Sequence, residues 1–412
     1  DAALKMGATT IYMSNGVYEV AETVALGRKV KVVGVNGPET VRIRRTSDSA
    51  RKLDNMVVMS VTSDDAWLEG VTLSHGLWSI YDTDGGNTLR LSAGVVTNCV
   101  IENGEGWWYG AVAVKGGRLV DSVIRNNTGT STSSRCGGLS VFDGEVTGCV
   151  ISNNHGMAKY SKNNKCVSMG VYIGGGVISN SLIVGNYSEY STGTAGGIYM
   201  DGGLITHTRI LGNRAGKRVG GIEMEAGTLR NSLIAGNSST STDPEDGGCG
   251  VLLRGGRVES CTIAGNSSPV AGAGAKMTGG ALVDTIVAEN GDGADCDIAP
   301  GSDVTYGLFT TEIPGAGNVK GEPLFTDSAN GDYSLTAFSA AVDAGLELGW
   351  MGASKDLAGA DRETGAAVDI GAYEFVGGAG GLACHLSVVS AERNADYNTV
   401  VVFAADVRGG EG

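Results

Sequence analysis

The sequence is poor in positive charge and has no long apolar run. Of its 412 residues, 30 are Lys or Arg and 45 are Asp or Glu, so the formal net charge is −15. Nucleic-acid-binding surfaces need clusters of basic side chains, and this balance therefore argues against nucleic acid as a partner. No run of about eighteen apolar residues occurs, so we expect no membrane span within this chain. The chain opens without Met or a secretory leader, and we interpret it as a mature chain or as a fragment of a longer protein.

The eight cysteines also lack the spacing of a metal site. No two of them form a CxxC pair, so we predict no zinc centre. Cys99, Cys149 and Cys261 share one position of the repeat described next, where a small buried side chain is expected. Cys136 and Cys166 fall in variable loops of neighbouring repeats and could form a disulfide.

What the sequence does contain is a rigid module, repeated at least seven times, in which an asparagine follows a small residue by sixteen positions. The copies are 111–127, 138–154, 170–186, 197–213, 221–237, 250–266 and 274–290. The connection from each asparagine to the next module varies between 8 and 16 residues. Because the length changes fall in that connection, we expect stacked turns whose variable loops emerge on one face, often the binding face.

The apolar pattern inside the module predicts short strands. In the copy 197–213, Ile198 and Met200 alternate with outward residues, and every copy repeats this apolar pair. The seventh position is always glycine, as a corner with positive φ favours. We therefore predict an all-β fold, a single-stranded right-handed parallel β-helix (solenoid) of about ten three-strand coils. Its core would stack Ile183, Ile210 and Ile234 in one internal column, and the closing asparagines would form a hydrogen-bonded ladder.

The coils resemble the right-handed parallel β-helix (pectate-lyase-like) superfamily, which includes polygalacturonases and many bacterial surface proteins. Three stretches are similar to the closing segment of choice-of-anchor β-helix proteins: Glu-Pro-Leu-Phe at 322–325, Gly-Asp-Tyr-Ser-Leu at 331–335 and Asp-Ile-Gly-Ala-Tyr-Glu at 369–374. This resemblance implies an extracellular or cell-surface location in a bacterium.

We accordingly divide the chain into four parts. Residues 1–300 are predicted to form the β-helix with an N-terminal cap. Residues 301–376 form a closing segment, which we expect to cover the open end of the column because exposed strand edges invite aggregation. Residues 377–385 are a Gly-rich linker, and 386–412 contain two predicted strands that resemble the start of an Ig-like or PKD-like module.

The predicted site lies on the outward face of the strand after each variable loop, where enzymes of the superfamily carry their chemistry. Aromatic rings and carboxylates meet there, as in sugar-binding grooves, and basic residues border them. We predict binding roles for Tyr172, Tyr199, Lys115, Arg254 and Lys276. The carboxylates of this face belong to Asp201, Glu223 and Glu225.

Three functions remain open from the sequence. The preferred one is a non-catalytic protein that binds a polysaccharide, a surface glycan or another partner, because the catalytic motifs of polygalacturonases and pectate lyases are absent. The alternative is a polysaccharide lyase or glycoside hydrolase, in which Asp201, Glu223 and Glu225 supply acid and base, assisted by Lys159 or His155. The third is a structural spacer within a large surface protein.

Two further features complete the prediction. We expect no cofactor, although a loop rich in carboxylates makes Ca²⁺ a candidate ligand; it contains Asp292, Asp295, Asp297 and Asp303. The outward residues of the last strand of the module form an apolar stripe to which a protein partner could bind: Val123, Val150, Leu182, Leu233 and Ile286.

Overall fold

The protein is a parallel β-solenoid of about nine turns with almost no helix, as the repeat predicts. The computed structural model describes residues 6–46, 57–77, 85–106, 109–129, 136–156, 168–188, 195–291, 295–377, 383–393 and 399–408, the last two ranges as backbone only. Of the expected N-terminal cap, residues 1–5 lie outside this description. Within the described residues, no helix is long and apolar enough to cross a lipid bilayer.

The strands are short and follow one another in a fixed order. The first twelve are β1 (Thr10–Met13), β2 (Gly16–Val20), β3 (Val24–Leu26), β4 (Val30–Gly34), β5 (Val41–Arg45), β6 (Met59–Val61), β7 (Ala66–Glu69), β8 (Thr72–Ser74), β9 (Leu89–Leu91), β10 (Val95–Thr97), β11 (Val100–Glu102) and β12 (Glu105–Gly106). The next sixteen are β13 (Val112–Val120), β14 (Val123–Arg125), β15 (Thr128–Gly129), β16 (Leu139–Thr147), β17 (Val150–Ser152), β18 (His155–Gly156), β19 (Val171–Ile173), β20 (Val177–Ser179), β21 (Leu182–Val184), β22 (Tyr187–Ser188), β23 (Ile198–Thr206), β24 (Arg209–Leu211), β25 (Arg214–Ala215), β26 (Ile222–Arg230), β27 (Leu233–Ala235) and β28 (Ser238–Ser239).

The remaining strands finish the solenoid and form two hairpins. They are β29 (Val251–Leu253), β30 (Arg257–Glu259), β31 (Thr262–Ala264), β32 (Ala275–Met277), β33 (Ala281–Val283), β34 (Ile286–Ala288), β35 (Cys296–Ile298), β36 (Asp303–Thr305), β37 (Leu308–Phe309), β38 (Val319–Lys320), β39 (Phe325–Asp327), β40 (Asp332–Leu335), β41 (Ala383–Arg393) and β42 (Thr399–Arg408). Short 3-10 helices lie at Pro244–Asp246 and Ser328–Asn330. Strands β41 and β42 pair antiparallel and include both strands expected after the Gly-rich linker.

Each turn contributes one strand to each face of the column. The third strands of successive turns form a thirteen-stranded sheet. The short strands after the ladder asparagines from Asn127 to Asn237, together with β12, form a six-stranded sheet. In four turns, one long strand bends through the glycine corner and supplies both of the first two faces; β13 and β23 are examples. At Gly203 in that corner φ is +77°, and a Cβ there would lie 2.7 Å from the carbonyl oxygen of Gly176, so only glycine fits.

The core confirms the predicted stacking of isoleucine on isoleucine in successive turns. Ile183 pairs in register with Ile210, and Ile210 pairs with Ile234. All three side chains are completely buried, and the same column continues through Ile263. Burying one such side chain stabilises the fold by roughly 1.5–3 kcal/mol relative to leaving it in water.

A ladder of buried asparagines runs beside this core, also as predicted. The Nδ2 of Asn186 donates to Oδ1 of Asn213 at 3.0 Å, and the backbone N–H of Asn186 donates to the same oxygen at 3.0 Å. Asn213 repeats both bonds with Asn237 and also donates to the carbonyl of Ile183. The ladder extends over seven turns, from Asn127 to Asn290. It satisfies backbone groups that the corner would otherwise leave unpaired inside the column.

The six described cysteines are free thiols, and the predicted inward cysteines are indeed buried. Burial raises the pKa of Cys99, Cys149 and Cys261 to about 12, so these thiols stay protonated and unreactive. Cys136 is a buried free thiol that donates to the carbonyl of Leu139 at 3.1 Å, so it is not part of a disulfide. Its suggested partner, Cys166, lies outside the described residues.

The closing segment divides into a part that completes the end of the column and a later part that lies along its side, so for the later part the expected position over the open end is wrong. Residues 303–320 supply the last strands of the solenoid, and the chain from Phe325 onwards packs on the outer surface of the thirteen-stranded sheet. Tyr333 and Tyr373 cover Leu233, while Ile370 covers Ile286. The physical reason is the apolar outer face of that sheet, which the later part of the segment removes from water.

A buried ion cluster of Asp284, Arg362, Asp369 and Glu374 fastens the closing segment to the column. Arg362 is completely buried, and its Nη2 lies 3.4 Å from Oδ2 of Asp284, a corner residue of the solenoid. Its Nη1 lies 3.3 Å from Oε1 of Glu374. Two carboxylates thus contact one guanidinium group, and the backbone carbonyl of Asp369 accepts from its Nη2 at 3.2 Å. Burial raises the pKa of Asp284 to about 7, of Asp369 to about 6 and of Glu374 to about 8.

Replacing Asn213 with alanine should destabilise the column strongly. The substitution leaves the backbone N–H of Asn186 without its partner, removes one of the two acceptors of the Asn186 Nδ2 and takes away the Asn213 donor to the carbonyl of Ile183. Each unsatisfied buried group costs about 1–3 kcal/mol. We expect Asn213→Ala to lower the free energy of unfolding by at least about 3 kcal/mol in urea titrations. Asn330→Ala, which removes one exposed hydrogen bond, is the control and should change it by less than about 0.5 kcal/mol. Equal losses in the two variants would contradict a stabilising ladder.

The attachment of the closing segment should weaken as pH rises from 5 to 9. A carboxyl group whose pKa is raised in the folded state contributes stability that is complete below its unfolded pKa and is lost as pH rises through its folded pKa. For the buried ion cluster that loss falls between about pH 4 and pH 8. Hydrogen exchange at 369–375, corrected for intrinsic rates, should therefore accelerate relative to exchange at 210–213.

A matched pair of variants isolates the buried ion cluster. Asp284→Asn should flatten the pH dependence because it removes one of the buried charges. Asp332→Asn, at an exposed carboxylate of the same segment, should leave the dependence unchanged. An identical pH profile in the wild type and Asp284→Asn would show that the cluster does not control attachment.

Candidate functional site

The outward residues of the strands after the variable loops form one continuous row, as predicted. Backbone pairing places them side by side in the order Arg90, Ala113, Ser140, Tyr172, Tyr199, Glu223, Leu252, Lys276 and Asp297. Arg90 and two small residues occupy one end of the row, two aromatic rings the middle, and Glu223, Leu252, Lys276 and Asp297 the other end. The chemistry of the row therefore changes along the column axis, and five of its members are buried: Ala113, Ser140, Tyr172, Glu223 and Leu252.

The middle of the row is an aromatic platform made of Tyr109, Phe142, Tyr172 and Tyr199. Tyr172 and Tyr199 stack with their planes 9° apart and their ring centroids 6.3 Å apart. Phe142 meets Tyr109 edge to face at 4.7 Å and Tyr172 at 5.6 Å. Tyr172 is buried within the platform, whereas Tyr199, at its end, remains half-buried. Tyr109, Phe142 and Tyr199 are each half-buried, so the platform offers three partly accessible rings, with Tyr199 at its end.

Carboxylates adjoin the accessible end of the aromatic platform. The hydroxyl of Tyr172 lies 3.5 Å from Oδ2 of Asp201, which is exposed. Burial raises the pKa of Tyr199, and the nearby charges of Glu225 and Asp201 raise it further. Tyr199 is therefore a neutral phenol that can donate a hydrogen bond at any physiological pH.

Glu223 is not the solvent-exposed carboxylate that its outward position on the strand predicts. Its side chain is 1% exposed. Its Oε1 lies 2.6 Å from Nη1 of Arg218 and 3.2 Å from Nε of Arg254. Burial raises the pKa of this carboxyl, and the two guanidinium groups oppose that shift. Arg254 also lies 3.4 Å from Oε1 of Glu225, which is exposed. Glu223 is thus an internal counter-ion that positions two arginines, while Glu225 and Asp201 face solvent.

Arg218 was not predicted to take part in the site. It lies in the connection between Asn213 and Gly221, one of the two shortest, and has φ of +65°. A short connection keeps its side chains close to the strand that follows. Its length was the feature of the sequence from which the position of Arg218 near Glu223 could have been predicted. Tyr109 and Phe142 were likewise not predicted to belong to the aromatic platform. The sequence places Tyr109 just before the module that begins at Ala111, and Phe142 within the module that begins at Gly138.

The structure does not gather all the predicted site residues. Lys276 lies beyond the buried Leu252, where its Nζ donates to the carbonyl of Pro244 at 2.6 Å and pairs with Asp297 at 3.1 Å. Lys115 lies at the opposite end of the row and pairs in register with Asp143. His155 belongs to the six-stranded sheet instead, where it stacks on another ring. Lys159 lies outside the described residues.

The carboxylates proposed for Ca²⁺ have other partners where they are described. Asp295 accepts from the backbone N–H of Asn290 at 2.7 Å and from Thr310 at 2.7 Å, and Asp297 pairs with Lys276. Asp303 lies on β36, and Asp292 lies outside the described residues. Among the described residues, no group of three or more His, Cys, Asp or Glu side chains is arranged to hold a metal ion.

The predicted apolar stripe is partly covered by the chain itself. Leu233 and Ile286 are buried under the closing segment. Val123, Val150 and Leu182 remain half-buried on the turns before that segment begins. As a surface for another protein, the stripe therefore shrinks to these three residues.

Glu223 and Glu225 should respond differently to neutralisation. Glu223→Gln keeps the shape but leaves two partly buried guanidinium groups without their counter-charge, so we expect the free energy of unfolding to fall by about 1.5–3 kcal/mol. Glu225→Gln removes a solvent-exposed ion pair and should cost less than about 1 kcal/mol. Denaturant unfolding of both variants measures the difference. A larger loss for Glu225→Gln would contradict the internal role of Glu223.

Comparison with known proteins supplies no relative from which a role could be transferred. No family model, no curated protein and no solved structure matches the chain. Its function must therefore be inferred from the residues and their contacts.

Proposed function

We propose that this protein is an extracellular or cell-surface β-solenoid that binds a glycan on its aromatic platform without turning it over. The observation that carries the proposal is the row of four contacting rings that ends at Tyr199 beside two exposed carboxylates. An aromatic face stacks on the apolar face of a sugar ring, and carboxylates accept hydrogen bonds from its hydroxyl groups. The preferred ligand of this face is a neutral glycan, because Asp201 and Glu225 would repel an anionic one.

A binding role is favoured over catalysis by the state of the carboxylates. A glycosidase needs two accessible carboxyl groups on either side of the scissile bond, one of them free to donate or accept a proton. Glu223 is buried between Arg218 and Arg254, so its carboxylate is already committed to two strong partners. A lyase or hydrolase that uses Asp201 and Glu225 is the alternative that the experiment below distinguishes.

The proposed location rests on the resemblance of the closing segment to those of bacterial choice-of-anchor β-helix proteins. The thiols are compatible with it, because five of the six described cysteines are completely or almost completely buried. Their burial also raises the pKa of Cys136 and Cys249 to about 12, which protects them from oxidation in an oxidising compartment.

Truncating Tyr199 should weaken binding of a neutral glycan. We expect one member of a panel of cello-, xylo-, manno- and chitohexaose to bind the wild type in calorimetry. Tyr199→Ala should raise its dissociation constant about tenfold or more, which corresponds to at least about 1.4 kcal/mol. Tyr12→Ala, which removes an exposed tyrosine at the far end of the column, is the matched control and should have no effect.

Product analysis on the same panel separates binding from catalysis. New reducing ends or unsaturated products that disappear in Glu225→Gln would overturn the non-catalytic proposal in favour of an enzyme. Failure of every panel member to bind would overturn the choice of a neutral glycan for this face.

A further inference from the structure

A second row of outward side chains lies on the six-stranded sheet, where five of its six members directly follow a ladder asparagine. Backbone pairing places Glu105, Thr128, His155, Tyr187, Arg214 and Ser238 side by side on successive turns. Along the chain, a variable connection follows each strand of this sheet and precedes the strand that carries the first row, so the two rows belong to different sheets. The two rows are therefore different surfaces of one column.

The centre of this second row is a pair of stacked rings. His155 and Tyr187 lie with planes 6° apart and centroids 5.2 Å apart. That distance is close to the spacing of neighbouring strands, about 4.8 Å, so the rings stack along the column axis. His155 covers one face of Tyr187, and the hydroxyl of Thr128 lies 3.2 Å from Nε2 of His155, which fixes the imidazole. The other face of Tyr187 is turned toward the turn of Arg214.

Arg214 is a cation without a partner in the described part of the chain. Its side chain is exposed and forms no hydrogen bond or ion pair there, and its guanidinium does not lie over the ring of Tyr187. Its backbone N–H donates to the carbonyl of Asn186 at 2.9 Å. By contrast, Arg218 and Arg254 are both held by carboxylates. In a chain with a formal charge of −15, an unpaired guanidinium marks a local site for an anion.

Tyr187 and Arg214 line one cavity of about 590 Å³. Its floor is glycine at Gly185 and Gly212, both with positive φ, and a Cβ on Gly212 would meet no atom within 4 Å. Thr240 closes one side. Gly212 also borders a neighbouring crevice of about 650 Å³ that reaches Tyr333 on the closing segment. An extended ligand can thus cross the corner from one cavity to the next.

We propose that the cavity between Tyr187 and Arg214 is a second binding site, specific for a glycan that carries uronic acid residues. The free face of Tyr187 stacks on a pyranose ring, and the Arg214 guanidinium binds the carboxylate of that sugar with two parallel N–H···O bonds. Arg214 is the one charged residue among those described as lining this cavity, so none of the described lining residues brings a carboxylate against the ligand. The site goes beyond the proposed function, because it takes an anionic sugar on a surface that does not include the aromatic platform.

The ring stack favours an acidic glycan over an acidic peptide. A peptide carboxylate would use Arg214 but would leave the flat face of Tyr187 without a matching group. A uronate places a ring and a carboxylate within one residue, as the two lining groups require. Poly-glutamate is accordingly the competing ligand that the experiment must include.

The test compares binding of hexagalacturonate, a neutral hexasaccharide and poly-glutamate by calorimetry. Hexagalacturonate should bind the wild type, and its affinity should fall as salt increases. Arg214→Gln should weaken it about tenfold or more, and Tyr187→Ala should weaken it by a similar factor. Arg118→Gln, which removes one equally exposed positive charge on another face, controls for net charge and should have no effect. Tyr199→Ala should also leave hexagalacturonate binding intact, so the proposal for this site and the proposal for the aromatic platform can be rejected independently.

Three results would overturn the proposal. The first is the absence of hexagalacturonate binding to the wild type at millimolar concentration. The second is an equal loss in Arg118→Gln and Arg214→Gln, which would reduce the effect to net charge. The third is tighter binding of poly-glutamate than of hexagalacturonate, which would assign the site to an acidic peptide. Circular dichroism of each variant establishes that the fold is retained.

Discussion

In-register stacking of identical side chains on successive turns is the constraint on which the rest of this structure depends. Buried isoleucines form the continuous core, and buried asparagines satisfy the backbone at the corner beside it. Inserting or deleting one residue within a strand of a module would turn the apolar side chains beyond it outward, because side chains of a strand alternate between faces. The module therefore keeps its length, and variation is confined to the connections.

The same constraint explains why surface side chains align into rows. Where inward residues are held in register, the outward residues between them are held in register as well. One such row collects the aromatic platform and its carboxylates, and another collects His155, Tyr187 and Arg214. Repetition thus creates extended surfaces, because each turn adds one side chain to a row at a distance of about one strand spacing. Such surfaces suit polymeric ligands better than compact ones.

The closing segment shows how a solenoid manages an apolar outer face. The thirteen-stranded sheet carries apolar residues outward over its later turns, and the segment covers them with Tyr333, Tyr373 and Ile370. A single buried arginine joins this cover to Asp284 on the column. Breaking such a pair is costly because it leaves a buried charge without a partner, so the attachment is specific as well as apolar.

The sequence by itself determined the solenoid, its core column, the asparagine ladder and the buried position of three cysteines. These follow from a two-residue alternation and a fixed module length, which are local properties of the chain. Only the tertiary structure decided that Glu223 is an internal counter-ion, that the closing segment lies on the flank, and that Arg214 is unpaired among the described residues. Alternation gives the direction of a side chain relative to its own strand, whereas what covers or pairs with it depends on segments distant in the chain.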